Sequence, residues 1–527
     1  MPKLLLLPRQ SRFRVPLRVP WTAVDRAPRL PPCGRCVNPC PGSQGKPPPG
    51  SLLFSPSGWW HSPDGDRGGT RAYCRNVPER AGPGSRRRVP RPSQVVFLGF
   101  VAAALCGTGL LMLPASDAVP GSASFTDALF TAVSALCVTG LSVVETHVYW
   151  STFGQVVILA LIQVGGLGVM TFASIVGLAV IGRFSFRSRL QAVAENRSQD
   201  LDSTPRVIGG VVRISLATEA VTALLLALRF WLGYGKDPGE AIWLGVFHAV
   251  SAFNNAGFSL FPRNLEGFAT DPLVCLPVAA AVIIGGLGFP VLVQLRRAWG
   301  KPLRWTINTR LVLWGTVILL PAGTVFIALC EWNNPQTLGA LSGPERFLAA
   351  FFMSVQTRTA GFSSVDVAQM DPLSWLGMDV LMFIGAAPAG TGGGIKVTTF
   401  AVLVFAVVAE ARGNEQVTAL GKALPAYAAR QALVVVLVAA GLIAVSTGAL
   451  MAMSDYSMDR LLFETVSAFG TVGLSAGVSS ALPVAGELIL VVLMFTGRLG
   501  PILLASALVL RERRLKYKLP EERPIIG

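Results

Sequence analysis

One motif, an apolar stretch that runs into a glycine-centred turn, occurs four times in this chain. The four central glycines are spaced 117, 104 and 112 residues apart, and long apolar runs flank each of them. They are Gly140, Gly257, Gly361 and Gly473. A unit of this length repeated four times predicts four equivalent quarters arranged around one axis. If the quarters lie in a membrane, that axis is a pore and the turns line it.

The composition places the chain in a membrane. Hydrophobic residues make up 52% of it, charged residues only 14%, and the mean hydropathy is +0.54. A soluble domain carries about 25% charged residues, and several apolar runs exceed the roughly 20 residues that a bilayer-spanning helix needs. The fold class predicted from this composition is therefore an all-α integral membrane protein.

The net charge of +16 is concentrated at the N-terminus. Residues 1–90 hold 16 of the 45 basic residues, 4 of the 29 acidic residues and 17 of the 37 prolines. The positive charge therefore lies in a Pro/Arg-rich extension and does not indicate a nucleic-acid partner. Because residues 1–92 lack sustained apolar periodicity, we expect a disordered cytoplasmic arm or an upstream segment that is not translated.

Each quarter is predicted to contain a spanning helix, a half-length re-entrant helix, the glycine-centred turn and a second spanning helix. The transmembrane domain is predicted over 93–512, and 513–527 is predicted to be a basic cytoplasmic tail. The predicted quarters are 93–182, 207–298, 305–412 and 426–512. The predicted re-entrant helices are 124–137, 240–254, 343–357 and 458–469, and the second span of quarter two is predicted to be one helix over 272–295.

The positions of Lys and Arg predict the orientation. The connection between quarters one and two is rich in arginine, and so is the C-terminal tail. Basic loops face the cytoplasm. We therefore predict a multi-pass protein of the cytoplasmic membrane with eight spans, both termini inside, and four half-spans that enter from outside.

The four turns predict an ion filter. Irregular backbone at membrane depth is tolerated only where it lines a water-filled cavity or is buried in protein. Potassium filters replace the ion's hydration shell with rings of backbone carbonyls, and glycine tolerates the dihedral angles that this requires. Half-helices that end at the filter aim their negative dipole ends at the pore, which favours a cation. The predicted filter residues are Val138, Thr139, Gly140, Leu141, Asn255, Ala256, Gly257, Phe258, Thr359, Ala360, Gly361, Phe362, Thr471, Val472, Gly473 and Leu474, with potassium held at the four glycines.

A second irregular segment, Gly385–Lys396, interrupts the second span of quarter three. It holds a proline and five glycines, which break a helix. A movable gate below the filter is the functional interpretation, and a passive hinge is the alternative. The predicted gating residues are Gly390, Thr391, Gly392, Gly393, Gly394, Lys396 and Arg498. The two charged side chains either hold this loop or reach water at the cytoplasmic end.

Three further predictions concern the support of the filter. Arg358 is expected to face away from the pore and to pair with Glu464. Asn254 and Asn255 are expected to tie the filter to its scaffold. The Gly-Gly-Leu-Gly motifs of the second spans in quarters one and two are expected to allow close helix packing.

These motifs together resemble the ion-translocating subunit of the Trk/Ktr/HKT potassium transporter superfamily, in its bacterial KtrB/TrkH-like branch. The resemblance covers about 93–512 and rests on the four turns, on Gly-Gly-Ile-Lys ending at Lys396, and on Gly-Arg-Leu-Gly-Pro around Arg498. It implies a homodimer with one pore per subunit, docked on a cytosolic ring of nucleotide-binding regulatory subunits of the KtrA/TrkA type. It also implies that Gly390–Lys396 is a gating loop with Arg498 as its partner. Glycine at position 140, where sodium-transporting relatives carry serine, favours potassium.

The predicted function is potassium uptake driven by the membrane potential, which is worth about 2.3 kcal/mol per charge per 100 mV. The sequence leaves open whether sodium assists, and it predicts no organic cofactor. The alternative is an ion-coupled symporter of a small solute, a class that usually has two repeated halves with one pair of interrupted spans. Three histidines and the absence of a His-Glu-x-x-His motif argue against an enzyme.

Overall fold

The chain is predominantly helical. The computed structural model describes residues 92–119, 123–181, 204–414 and 416–510. Within these ranges the strands are confined to one hairpin, β1 Thr418–Ala419 and β2 Lys422–Ala423. Nearly all of the predicted N-terminal extension and the whole predicted tail, 513–527, lie outside the described residues.

Each quarter contains one helix of 13–16 residues directly before its glycine-centred turn. In the first two quarters the helices are α1 Pro92–Leu111, α2 Phe125–Cys137, α3 Thr146–Tyr149, α4 Thr152–Ile181, α5 Thr204–Tyr234, α6 Pro238–Phe253, α7 Pro272–Leu287 and α8 Phe289–Ala298. In the last two they are α9 Ile307–Glu331, α10 Gly343–Gln356, α11 Pro372–Phe383, α12 Val397–Ala411, α13 Ala426–Met451, α14 Met458–Gly470 and α15 Val484–Leu510. The four half-length helices α2, α6, α10 and α14 begin and end within two residues of their predicted positions.

Local sequence fixes where the half-length helices begin. Ser124 caps α2 by accepting a hydrogen bond from the amide of Asp127 (3.1 Å). Asp237 precedes the Pro-Gly that opens α6, and its side chain accepts from Gly239 N. Ser342 and Glu345 form a reciprocal capping box at the start of α10. Such caps satisfy the amides that have no partner in the first turn of a helix, so these three half-length helices have a defined start.

The half-length helices make up the core, and the longer helices surround them. Helix α2 packs against α1, α4 and α15, and α14 packs against α11, α13 and α15. Each half-length helix contributes a fully buried phenylalanine. These are Phe130, Phe247, Phe352 and Phe463. The chain segments that follow the half-length helices are therefore also at the centre of the molecule.

Three described helices are long and apolar enough to cross a membrane: Gly209–Tyr234, Ile307–Glu331 and Tyr427–Met451. The bent pair α7 and α8 makes a fourth if it is one broken span. Shorter apolar helical stretches of 10–17 residues are Val96–Leu111, Phe125–Cys137, Thr152–Gly168, Pro372–Phe383 and Val397–Ala411. Eight spans and the orientation of the termini thus stay predictions.

The predicted single helix over 272–295 is wrong. The structure breaks it at Gly288, whose φ is +81°, and the two halves α7 and α8 meet at an angle of 96°. The apolar periodicity continues through the break, so the sequence pattern did not reveal it. The physical reason for the break is a segment from quarter three that binds there, described below.

One carboxylate joins the end of α9 to the chain that follows it in quarter three. Glu331, the last residue of α9, is fully buried. It accepts hydrogen bonds from Thr337 Oγ1 (2.6 Å), from Asn334 Nδ2 (2.7 Å), from the amide of Asp371 (2.9 Å) and from the hydroxyl of Ser374. One side chain therefore joins α9 to the start of α11.

Glu331→Ala should lower the free energy of unfolding by about 3 kcal/mol, because it leaves several buried donors without an acceptor. The measurement is SDS-induced unfolding in mixed micelles. The exposed Glu410 gives the control variant Glu410→Ala. Equal unfolding midpoints for the two variants would contradict this role of Glu331.

Candidate functional site

The glycines of the four turns stand next to one another in a closed ring. A Cβ atom built on Gly140, Gly257, Gly361 and Gly473 would lie 3.2, 2.9, 3.1 and 3.1 Å from the Cα atom of the next glycine, and the neighbour of the fourth glycine is the first. The same Cβ atoms would press on the carbonyl oxygens of Ala256, Ala360, Val472 and Thr139. No side chain larger than a hydrogen atom fits, so the ring requires glycine.

Each turn has the same unusual backbone. Two residues before each glycine, the chain adopts the left-handed conformation, which is uncommon for residues other than glycine. These residues are Val138 (φ 56°), Asn255 (φ 60°), Thr359 (φ 65°) and Thr471 (φ 49°). The glycines themselves have φ of +94°, +72°, +78° and +96°. Backbone strain of this kind clusters at functional sites, where the surroundings hold it in place.

Side chains on the half-length helices brace the turns. Ser134 Oγ accepts from the amide of Gly140 (3.1 Å) and donates to the carbonyl of Leu141 (2.6 Å). Ser251 Oγ donates to the carbonyl of Phe258 (2.9 Å). In turn four, Ser467 Oγ accepts from Gly473 N (3.1 Å), and in turn three Gln356 Oε1 accepts from Phe362 N (3.2 Å). These four side chains were not among the predicted site residues, although the serines recur six residues before their glycines.

Glycines in the second long helices allow close approach to the half-length helices. A Cβ atom on Gly165 would overlap the carbonyl oxygen of Leu136, and one on Gly285 would overlap that of Phe253. The expected close packing at the Gly-Gly-Leu-Gly motifs is therefore present. Gly497 makes the same contact with the carbonyl of Phe469 in quarter four, which the sequence analysis missed.

Asn254 belongs to a buried polar cluster behind turn two. Its Nδ2 donates to Gln163 Oε1 (2.8 Å) and to Glu219 Oε1 (3.3 Å). Gln163 Nε2 donates to both carboxylate oxygens of Glu219 (3.1 and 3.2 Å). The cluster joins α4, α5 and the end of α6, as expected for a scaffold role of Asn254. Glu219 and Gln163 were missed, because isolated polar residues in long apolar helices carry no spacing pattern.

The predicted pair of Arg358 and Glu464 is wrong. Glu464 is fully buried and accepts from Ser475 Oγ (2.7 Å), Ala476 N (3.2 Å), Ser479 N (3.1 Å) and the hydroxyl of Ser479. It braces the chain just after turn four. Arg358 Nε is buried without a hydrogen-bond partner. Hydroxyls and amides of its own quarter satisfy Glu464, so the carboxylate needs no cation.

The segment between α11 and α12 binds in the break between α7 and α8. Ala387 N donates to the carbonyl of Gly286 (3.1 Å), and Thr391 N donates to that of Gly285 (3.2 Å). In return Phe289 N donates to the carbonyl of Ala389 (3.2 Å). Opening the helix at Gly288 frees these backbone groups for the segment, which explains the bend.

Two cations hold the glycine-rich part of this segment. Lys396 Nζ donates to the carbonyls of Gly392 (2.8 Å) and Gly393 (3.1 Å). Arg498, which is buried, donates to the carbonyl of Thr391 and to that of Gly165 in α4 (3.2 Å). Three successive carbonyls are therefore bound by positive charge from two directions. Both side chains bind the loop instead of extending to the cytoplasmic end.

The same loop residues lie directly against the first residues of turns two, three and four. Thr391 Oγ1 and the side-chain amide of Asn255 form a hydrogen bond (2.9 Å). A Cβ atom on Gly392 would overlap Thr359 Oγ1, and one on Gly393 would overlap Thr471 Oγ1. Both threonine hydroxyls are buried without a hydrogen-bond partner. Thr391, Gly392 and Gly393 thus contact turns two, three and four in order, and the loop covers one face of the ring there. Gly394 continues this contact by lying against Gly470, and Gly390 lies against the carbonyl of Gly286.

The site offers backbone oxygens, not a side-chain metal centre. Within the described ranges, no group of three or more His, Cys, Asp or Glu residues could hold a metal ion. The ring consists of carbonyl oxygens and glycine Cα atoms, which suits a monovalent cation that is bound weakly and released.

Comparison with known proteins identifies relatives of the whole described region. The family TrkH, described as cation transport protein, matches residues 81–515. The Ktr system potassium uptake protein B of Vibrio alginolyticus is 38% identical, over 82% of this chain and 94% of that protein. The potassium/sodium uptake protein NtpJ of Enterococcus hirae is 32% identical, over 83% and 97%. The crystal structure of the potassium transporter TrkH from Vibrio parahaemolyticus has the same fold, with a TM-score of 0.60 at 18% identity over 81% of this chain and 86% of that one.

Proposed function

The chain belongs to the TrkH family of cation transport proteins, and from this premise we propose that it takes up potassium across the cytoplasmic membrane. The family transports ions and is not a family of enzymes. Relatives that align along more than nine-tenths of their own length are named for potassium uptake or for potassium and sodium uptake. Potassium is accordingly the proposed substrate, and a contribution of sodium is compatible with the NtpJ relative.

The observation that supports this proposal most strongly is the closed ring of Gly140, Gly257, Gly361 and Gly473. We propose that the four turns form one selectivity filter and that the four quarters surround one pore. The first and third residues of each turn have positive φ. This alternation allows neighbouring peptide carbonyls to point to the same side of the chain. A row of carbonyls on one side of each turn can replace the hydration shell of potassium. A solute symporter would need a larger cavity than a ring in which not even a methyl group fits.

The half-length helices contribute electrostatically. Each of α2, α6, α10 and α14 ends one to three residues before the left-handed residue of its turn, so its C-terminal carbonyls lie near the ring. The C-terminus of a helix carries roughly half a negative charge. Four such ends around one ring favour a cation there without any carboxylate in the pathway.

We propose that Gly390–Lys396 is the gate and that the described structure is its closed state. The loop lies against three of the four turns, and the ammonium of Lys396 and the guanidinium of Arg498 hold it there. Two positive charges beside the pathway, of which Arg498 is buried, also oppose the passage of a cation. Opening requires that the loop leaves the turns and that its carbonyls lose these donors.

The proposed assembly follows the relatives, which are named as components of Ktr systems. We propose a homodimer with one pore per subunit, both termini in the cytoplasm, and a cytosolic ring of nucleotide-binding regulatory subunits that moves the gate. The eight-span topology belongs to the same proposal.

Potassium-dependent growth of an uptake-deficient bacterium tests the filter. The native chain, expressed with a cytosolic regulatory subunit of its Ktr-type relatives, should restore growth at low potassium. Gly361→Ser should abolish the rescue, because a side chain there would overlap the carbonyl of Val472. Gly109→Ser is the control, since a Cβ atom on Gly109 meets nothing within 4 Å. Rescue by Gly361→Ser as strong as by Gly109→Ser would contradict a filter at the ring.

Uptake without the regulatory subunit tests the gate. Gly393→Ala should raise uptake severalfold, because the new methyl group overlaps Thr471 Oγ1 and keeps the loop away from turn four. Gly441→Ala in α13 is the control, since a methyl group there meets nothing within 4 Å. If Gly393→Ala is present in the membrane but transports no faster than the control, the loop is a passive hinge.

A further inference from the structure

Asn264, which lies outside the four turns, donates to the carbonyl oxygens of two ring glycines. Asn264 Nδ2 lies 3.3 Å from the carbonyl oxygen of Gly257 and 3.5 Å from that of Gly361. Both contacts are long, as is usual when one N–H donor group is shared between two acceptors. Asn264 therefore presents a donor to carbonyls of two adjacent turns.

A chain of hydrogen bonds holds Asn264 in this place. His248 on α6 interacts through Nδ1 with the carbonyl of Leu244 (2.7 Å) and through Nε2 with Ser259 Oγ (3.0 Å). Ser259 Oγ in turn lies 3.3 Å from the backbone carbonyl of Asn264. Arg263 and Asn264 are both in the left-handed conformation, with φ of 52° and 61°. The left-handed backbone of these two residues, with Asn264 fixed through its carbonyl, indicates a constraint on where the Asn264 side chain lies.

The contact makes the ring asymmetric. Among the described residues, no side chain donates to the carbonyl of Gly140 or to that of Gly473. The carbonyls of Gly257 and Gly361 thus share their lone pairs with an amide, and those of the other two glycines keep theirs for another partner. An N–H donor also places partial positive charge beside the ring, which opposes a cation.

We propose that Asn264 is a positioning residue of the filter that tunes the affinity of its ion site, an inference that rests on the proposed function. By donating to Gly257 and Gly361, Asn264 weakens the cation site at this level of the ring. Weak binding at one level speeds the exit of the ion to the next, because conduction requires sites that an ion can leave. The amide thus sets the balance between affinity and transport rate.

Asparagine could also stand at this position only because it tolerates the left-handed backbone. In that case, variants that keep the turn should leave potassium uptake unchanged. Asparagine and aspartate both tolerate the left-handed conformation, and glycine adopts it without strain. Asn264→Asp keeps the shape of the side chain but replaces the donor by an acceptor. Asn264→Gly keeps the turn and removes the side chain. Both variants should therefore fold, and they separate the donor from the turn.

Potassium uptake kinetics of the full chain, with its cytosolic regulatory subunit, test the proposal. Asn264→Gly should lower the KM for potassium severalfold and lower the maximal rate. Asn264→Asp should in addition become sensitive to extracellular Ca²⁺ at ~1 mM, because carboxylate and carbonyl oxygens are Ca²⁺ ligands and weak extracellular sites fill in this range. Native protein and Asn264→Gly should not respond to Ca²⁺. Asn333→Asp, in an exposed loop position, is the matched control.

The outcomes separate the two proposals. If native protein and Asn333→Asp take up potassium but both Asn264 variants keep the native KM and ignore Ca²⁺, the role of Asn264 is overturned and the filter stands. If native protein itself takes up no potassium, the proposed function fails. A lower KM in Asn264→Gly together with Ca²⁺ inhibition confined to Asn264→Asp supports the role.

Discussion

A backbone that leaves regular helix inside a membrane must find a partner for every N–H and C=O group within the protein. The structure around the ring is organised by this requirement. Ser134, Ser251, Gln356 and Ser467 satisfy backbone groups of the turns, and Glu464 binds four donors just after turn four. These braces hold dihedral angles that the residues would not adopt alone. In the part of the chain that the structure describes, no side chain donates to the carbonyls of Gly140 and Gly473, which leaves these oxygens to the proposed potassium site.

The same requirement explains the broken helix of quarter two. The glycine-rich loop of quarter three cannot form helical hydrogen bonds, and the carbonyls of Gly285 and Gly286 accept two of its amides. Lys396 and Arg498 bind three of its carbonyls. A loop held by hydrogen bonds to a broken helix, by two cations and by Thr391 on Asn255 has one defined position. In the proposed assembly, a regulatory subunit that moves one of these helices would break the contacts together.

Sequence periodicity located the four half-length helices within two residues, because their caps, apolar faces and terminal glycines lie in the sequence itself. The positions of the turns and of the irregular loop could be predicted from glycine and proline, because the backbone preferences of these residues are intrinsic. What the sequence did not reveal are contacts between distant residues. The break at Gly288 depends on Ala389, about 100 residues later, and Arg358 was paired with Glu464 on charge alone although local hydroxyls satisfy that carboxylate. The roles of Glu219, Gly497 and Asn264 likewise exist only after the quarters have come together.

Anomalous diffraction from crystals of the full protein grown with Rb⁺ in place of K⁺ tests the central claim most directly. The account predicts a Rb⁺ peak inside the ring of Gly140, Gly257, Gly361 and Gly473, coordinated by backbone carbonyls of all four turns. A ring without a peak in crystals that bind Rb⁺ elsewhere in the membrane-embedded region would contradict it.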